Sequence, residues 1–201
     1  MNRRTWLEGT LAALGCAAVA GIWLGQTLST ASTQRVVEPR PAVRDFSLTD
    51  TAGQVVTLST YRGKWILLFF GFTACPEACP LAMQTVAAAM TSMGQRGKAI
   101  QPIFVTIDPE RDRPDVLKDY LTNFSDNIVG LSGTAEQTAA MARLYGVYYA
   151  KRALDGGYTM DHSTALYLVA PDGTYVRSFR ANVDPGQLAD EISTSITSWK
   201  E

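Results

Sequence analysis

Residues 64–83 read KWILLFFGFTACPEACPLAM, so that a long apolar run stands directly before two cysteines. A continuous apolar run of this kind is typical of a central strand that is buried on both faces. Pro80 fits best as the first residue of a helix, because a proline inside a helix loses a backbone hydrogen bond. We therefore predict a buried strand, a tight turn that carries Cys75, and a helix from Pro80 to about Met93 whose start is capped by Cys79.

The rest of the chain alternates between patterns typical of strands and patterns typical of helices. Residues 44–58 predict a β-hairpin that turns at 51–53, and residues 100–108 predict a second buried strand. The later elements predicted in the same way are a helix opened by Pro114, a short strand at 128–131, a helix at 135–145, a strand at 146–151, a hairpin within 163–179 and a final helix through Leu188, Ile192 and Ile196. This order predicts an α/β fold with a mixed central sheet and helices on both faces. Because the cysteines lie between a central strand and the next helix, the fold resembles that of thioredoxin.

Composition excludes several classes of protein. The 201 residues suit one domain plus a leader, and a hydrophobic content of 46% is enough for a packed core. A formal net charge of -1 gives no basic surface for nucleic acid. Three cysteines are too few for a disulfide-stapled scaffold, and a single histidine, His162, cannot build a zinc finger or a multi-histidine metal site.

The N-terminal region predicts export from the cytoplasm. Arg3 and Arg4 precede an uncharged apolar run at 9–28, which is just long enough to span a bilayer and would leave the arginines on the cytoplasmic side. We predict a membrane anchor or signal segment at 1–28, a linker at 29–43 and the folded domain at 44–201. A signal cleaved near 29–31, a lipoprotein signal ending at Cys16 and a twin-arginine signal are alternatives, and all of them place the domain outside the cytoplasm.

Three roles fit the cysteine pair. A structural disulfide between Cys75 and Cys79 would close a very short loop and would therefore stabilise the fold little. A redox-active disulfide is the second role, although three residues separate the cysteines where the thioredoxin-type motif has two. A metal site is the third, because two thiolates and a nitrogen suit copper(I). We expect both thiols to be exposed at the edge of the sheet, and Cys79 to be held as a thiolate by the helix dipole.

The third metal ligand would have to be His162 if it is a histidine. We place His162 in the loop before the apolar strand at 163–170, where a thioredoxin-like fold would turn it towards the cysteines. Asp161 could orient its ring or be solvated. Downstream of the second buried strand, Asp112 is predicted to cap the helix opened by Pro114. Carboxylates such as that of Asp108 are hard ligands, which suit copper(II) better than copper(I).

Three segments, taken in order, carry a family resemblance. GFTACPEACP, TIDPERDRP and DHSTALYLVAPDG resemble the Sco/SenC family of copper-binding assembly proteins, and the likeness extends over about residues 42–200. The resemblance implies a thioredoxin-like fold and a copper cofactor, Cu(I) and possibly Cu(II), with Cys75, Cys79 and His162 as ligands. Asp108 lies in the Asp-Pro loop of the family. The resemblance leaves open an auxiliary role in metal binding for Asp108 and for Asp161.

The resemblance also implies a function and a location. It predicts a copper metallochaperone, rather than an enzyme with catalytic residues, that delivers copper to the CuA centre of cytochrome c oxidase subunit II. Other periplasmic copper chaperones or thiol reductases are possible partners. The protein would be a single-pass protein of the inner membrane with its domain facing the periplasm. The alternative is a membrane-tethered thiol-disulfide oxidoreductase that keeps client cysteines reduced through Cys75 and Cys79.

Overall fold

A seven-stranded mixed sheet lies at the centre of the computed structural model, which describes residues 46–199. The strands are β1 (Ser47–Asp50), β2 (Val55–Thr57), β3 (Trp65–Gly71), β4 (Ile100–Thr106), β5 (Val129–Ser132), β6 (Tyr149–Leu154), β7 (Gly157–His162), β8 (Ala165–Val169) and β9 (Tyr175–Arg180). The α-helices are α1 (Ala78–Ser92), α2 (Gln95–Lys98), α3 (Pro114–Leu121), α4 (Ala135–Leu144) and α5 (Pro185–Thr197), and a 3-10 helix (Leu58–Tyr61) follows β2. The described residues all belong to one unit, Arg40–Glu201.

The sheet order explains why β3 is apolar along its whole length. The order is β2-β1-β5-β4-β3-β8-β9, with β3 parallel to β4 and antiparallel to β8. Every β3 residue from Ile66 to Gly71 is buried. The predicted central strand and the predicted hairpin β1–β2 are both confirmed, and Gly53 adopts a φ of 79° in the hairpin turn, a value that favours glycine.

Helices cover both faces of this sheet. On one face Phe104 packs against Phe69 and against Tyr120 of α3, at ring-centroid distances of 5.9 and 5.8 Å. On the other face Phe70 packs against Tyr145, the residue after α4, at 5.8 Å. Since successive strand residues point to opposite faces, Phe69 and Phe70 anchor the two halves of the core. The prediction of a mixed sheet flanked by helices is therefore confirmed.

Helix α1 begins earlier than the sequence analysis predicted. Its N-cap is Glu77 and its first residue is Ala78, so Pro80 is the third helical residue and Cys79 lies in the first turn. The predicted cap at Cys79 is therefore wrong. Proline is tolerated at this position because the first four N–H groups of a helix have no acceptor within the helix.

The strands β6 and β7 form a hairpin that was only half predicted. They pair with each other as a separate two-stranded sheet, and β7 ends at His162, which the sequence analysis had placed in a loop. Met160 is the one buried residue of these two strands, so their apolar alternation is weak and does not reveal them as strands. Its turn at Asp155 and Gly156 was the available signal, because Asp-Gly is typical of tight hairpins.

The predicted membrane segment at 1–28 and the linker at 29–43 lie outside the described residues. Within residues 46–199, no helix has the length and apolar character needed to cross a membrane.

Substitution of Phe104 tests whether the two-faced core carries the stability of the domain. Phe104 is fully buried, so Phe104→Ala should lower the free energy of unfolding by about 3–5 kcal/mol, measured by urea titration. The control is Val55→Ala, because Val55 is 71% exposed and its truncation should change that free energy by less than about 0.5 kcal/mol. Equal effects of the two variants would contradict this description of the core.

Candidate metal centre

Two cysteines and the histidine converge at the carboxyl end of β3. Ligand atoms of Cys75, Cys79 and His162 all lie within 4.8 Å of one another, and Cys79 Sγ is 3.5 Å from His162 Nε2. Metal bonds of about 2.0–2.3 Å, as at zinc sites, allow two ligand atoms on one ion to be at most about 4.6 Å apart. Three ligands spaced evenly around one ion at these bond lengths would lie about 3.5–4.0 Å apart, so a movement of about 1 Å suffices for the three atoms to share an ion.

The start of helix α1 positions the cysteines. The backbone N–H of Cys75 donates to the Phe72 carbonyl at 3.2 Å and closes a turn directly after β3. The N–H of Cys79 then donates to Cys75 Sγ at 3.4 Å, so this sulfur satisfies one of the free N–H groups at the helix start. A Cβ atom at Gly71 would come within 2.8 Å of Cys79 Sγ, so glycine is needed for this close approach.

The imidazole of His162 is fixed by its neighbours. Its Nδ1 lies 2.8 Å from the Ser163 carbonyl oxygen, which can only accept, so in the neutral ring Nδ1 carries the hydrogen and Nε2 is free towards the sulfurs. The rings of Phe69 and Phe72 pack edge-on against the imidazole, at distances of 6.1 and 5.8 Å between ring centroids. A carbonyl that fixes the tautomer in this way is usual behind metal-binding histidines.

The two thiols have different environments. Cys75 is half-buried, whereas Cys79 is 0% exposed. The pKa of Cys75 is lowered to about 3, mainly because the Cys79 thiol donates a hydrogen bond to its sulfur, with a smaller contribution from the backbone N–H of Cys79. The pKa of Cys79 is raised, first by holding the shared proton against Cys75 and then by burial. Two exposed thiols with Cys79 as the thiolate were expected from the sequence; Cys79 is instead the buried, protonated partner.

Asp112 ties the cysteine loop to the sheet. Its carboxylate accepts hydrogen bonds from the Thr73 N–H at 2.9 Å, the Thr73 hydroxyl at 2.6 Å and the Thr106 hydroxyl at 2.7 Å. The N-cap of α3 is Arg113, so the predicted capping role of Asp112 is wrong. Neither this role nor the part played by Thr73 was predicted, because no local signal in the sequence reveals that Asp112 faces another loop.

The acidic residues considered as auxiliaries are engaged with other groups. Asp108 is buried and accepts hydrogen bonds from the Tyr158 hydroxyl, at 2.9 Å, and from Arg111 Nε. Asp161 forms an exposed ion pair with Arg152 at 3.2 Å. The ring of His162 is therefore oriented by the Ser163 carbonyl rather than by Asp161, and neither carboxylate belongs to the group of converging ligand atoms.

Comparisons with known proteins agree with this geometry. The SCO1/SenC family model matches residues 35–197. The chain is 36% identical over 160 residues to the SCO2 homolog, mitochondrial, of Bos taurus, and 35% identical over 160 residues to the SCO1 homolog, mitochondrial, of Homo sapiens. Each match covers 78% of this chain but 60% and 53% of the respective relative, so the chain spans only about half to three-fifths of their length.

Solved structures show the same fold. Arabidopsis thaliana ScoI with copper bound is 34% identical, with a TM-score of 0.75 over 79% of this chain and 100% of the solved chain. Yeast Sco1 with copper bound is 33% identical, with a TM-score of 0.73 over 80% of this chain and 91% of the solved one.

The fold and the site together define a thioredoxin-like α/β protein with a thiol–imidazole centre at the end of its central strand. The chain belongs to the SCO1/SenC family.

The asymmetry of the thiols can be tested by alkylation of the full chain. At about pH 5 an ordinary thiol, with a pKa of about 8.5, is protonated and reacts slowly. Cys75 should still react with iodoacetamide because its pKa is lowered to about 3, while buried Cys79 should not. Peptide mass spectrometry separates these sites from Cys16. Cys79→Ala removes the main hydrogen bond that lowers the Cys75 pKa and should slow its alkylation at least about 10-fold; an unchanged rate would show that the pair is not coupled.

A second prediction concerns Asp112. Asp112→Ala leaves the Thr73 and Thr106 donors without their acceptor and should lower the free energy of unfolding by more than about 2 kcal/mol. Asp112→Asn keeps one acceptor oxygen and should cost less. Asp119→Ala, at an exposed carboxylate on α3, is the matched control and should be nearly neutral in urea titration. A neutral Asp112→Ala would mean that these hydrogen bonds do not hold the loop.

Proposed function

We propose that this protein is a copper carrier in which Cys75 Sγ, Cys79 Sγ and His162 Nε2 bind copper(I). The observation that carries the proposal is the convergence of these three atoms within 4.8 Å, although the histidine lies 83 positions after Cys79 in the sequence. Copper-bound structures of Arabidopsis thaliana ScoI and yeast Sco1 support copper as the ion.

The donor set favours copper(I) over harder ions. Thiolates are soft ligands that select copper(I), and imidazole is compatible with them. The hard carboxylates of Asp108 and Asp161 already have cationic or hydroxyl partners. We therefore assign the auxiliary residues no bond to copper(I), and we assign Asp108 a structural role.

The accessibility of the site suits transfer rather than storage. Cys75 is half-buried and borders a surface depression of about 420 Å³, which is lined further by Pro76, Glu77, Leu81 and Asn182. A thiolate of a partner can enter here and take the copper by stepwise ligand exchange. The recipient that we propose is the CuA centre of cytochrome c oxidase subunit II, with the chain held on the inner membrane by residues 1–28 and its domain in the periplasm.

A thiol–disulfide oxidoreductase is the second candidate, and the asymmetric thiol pair favours it. The Cys75 thiolate could attack a client disulfide and form a mixed disulfide, which the Cys79 thiol would resolve after losing its proton. Two electrons pass to the client, and Cys75 and Cys79 end as a disulfide. Such a reaction needs both cysteines but does not need His162.

Copper(I) binding to the reduced full chain tests the proposal and separates the two candidates. Cys75→Ser, Cys79→Ser and His162→Ala should each weaken copper(I) binding by more than about 100-fold in competition with a chromophoric chelator, because each removes a direct ligand. Cys16→Ser is the matched cysteine control and should bind as the parent does. X-ray absorption of the parent should count two sulfur neighbours and one nitrogen neighbour.

One combination of results would contradict the copper-carrier assignment. If His162→Ala keeps full copper(I) affinity while both cysteine variants lose reductase activity towards a client disulfide, the copper-carrier assignment is overturned in favour of the oxidoreductase.

A further inference from the structure

The position of His162 depends on a hairpin that is not part of the main sheet. Strands β6 and β7 hydrogen-bond only to each other within the described sheets. An isolated two-stranded hairpin is marginally stable in water, so its placement must come from side-chain contacts. One such contact is the burial of Met160. The hydrogen bond from the Ser163 N–H to the Tyr148 carbonyl, at 2.9 Å, only extends the hairpin itself.

The largest cluster of these contacts surrounds Tyr158 of β7. The guanidinium of Arg111 lies 3.9 Å from the centroid of the Tyr158 ring, and the ammonium of Lys151 lies 4.2 Å from it. The Tyr158 hydroxyl donates to Asp108 at 2.9 Å, and Arg111 Nη1 donates to the Tyr158 carbonyl at 3.0 Å. Lys151 also pairs with Glu110 at 2.7 Å. Tyr158 is thus held through its ring, its hydroxyl and its backbone by the loop between β4 and α3.

The same loop also contacts both parts of the metal centre, the cysteines and the histidine. The guanidinium of Arg111, which forms an ion pair with Asp108, also lies 5.8 Å from the centroid of the Phe72 ring. Phe72 in turn packs edge-on against the His162 ring, at a distance of 5.8 Å between ring centroids. At its other end, Asp112 holds the cysteine loop through Thr73. Residues 108–112, which we call the spacer loop, therefore contact the cysteine loop on one side and the histidine hairpin on the other.

We propose that Tyr158 is a positioning residue that, through the spacer loop, sets the distance between His162 Nε2 and the two sulfurs. This inference rests on the proposed function. Loss of the Tyr158 side chain leaves the hairpin tied to the spacer loop by the Lys151–Glu110 ion pair and by the Arg111 hydrogen bond to the Tyr158 carbonyl, and so loosens it. The seven-stranded sheet and the cysteine loop keep their own contacts. The site then keeps two sulfur ligands and loses the nitrogen ligand for part of the time.

The first test needs no metal. The full chain contains one histidine, so its NMR spectrum contains the ring signals of His162 alone. In the parent, the edge-on Phe69 and Phe72 rings should displace these signals from their values in an unstructured peptide. Tyr158→Leu should move them towards the unstructured values. Tyr148→Leu is the matched control, because Tyr148 adjoins the same hairpin but its side chain is 63% exposed.

The second test uses copper(I). Tyr158→Leu should weaken binding about 10–100-fold, as is usual for residues that orient a metal ligand, and X-ray absorption should show less nitrogen per copper with sulfur unchanged. Tyr158→Phe, which keeps the ring contacts and loses only the bond to Asp108, should recover most of the affinity. In a His162→Ala background, Tyr158→Leu should have no further effect, because Tyr158 acts through His162.

The outcomes separate this inference from the proposed function. If His162→Ala weakens copper(I) binding but Tyr158→Leu leaves both affinity and His162 signals unchanged, the positioning role is wrong and the copper carrier stands. Additive effects of the two substitutions would also overturn the positioning role, since they would show that Tyr158 only stabilises the fold. If His162→Ala itself has no effect on copper(I), the proposed function fails first.

Discussion

The distance between the Cys79 sulfur and the His162 ring depends on contacts between two separate β-sheets. The cysteines follow β3 in the main sheet, and His162 ends β7 in the small one. No backbone ladder joins the two sheets among the described residues, and only Ser163 and Thr164 connect His162 to β8 of the main sheet. Packing and polar side chains therefore fix what this short link leaves free, a gap of a few ångströms. Interiors are packed closely enough to transmit small shifts, which makes such a gap sensitive to distant contacts. The buried polar groups of the spacer loop are the main bridge across it.

Burial and protonation of the two cysteines have a shared physical origin. Helix α1 begins at Ala78, so Cys79 lies in its first turn and faces β3, where Gly71 leaves room for its sulfur. Cys75 remains outside the helix and accepts the free N–H of Cys79. The hydrogen bond from the Cys79 thiol, with a smaller contribution from the N–H groups of the helix start, stabilises negative charge on Cys75. Holding that proton against Cys75, and then burial, raise the pKa of Cys79. The pair accordingly holds one proton rather than none or two.

The sequence was most informative where one local rule decides the structure. The apolar run of β3 and the turn residues between β1 and β2 predicted buried and paired strands correctly, and the Cys, Cys and His residues predicted which side chains would meet. The errors occurred where several rules compete. Pro80 suits the first helical residue but is also tolerated two positions later, and Asp112 suits a cap but forms three hydrogen bonds with Thr73 and Thr106. Strand β7 has one buried residue and therefore only a weak apolar pattern. The role of Tyr158 depends on contacts about 50 residues away in sequence, which no local motif encodes.

The asymmetry of the thiols gives an order to the proposed transfer. Loading of copper(I) requires both sulfurs as thiolates, so binding must release the proton that Cys79 holds, and affinity must rise with pH while that proton is present. Cys75 borders the surface depression, whereas Cys79 is fully buried behind it. In the proposed transfer, an incoming thiolate would therefore meet the copper from the side of Cys75 and replace that ligand first. As Cys79 then left the ion, it would take back a proton, which would favour release over rebinding. In this carrier the buried cysteine would couple transfer of the metal to transfer of a proton, and the half-buried cysteine would determine which side the partner approaches.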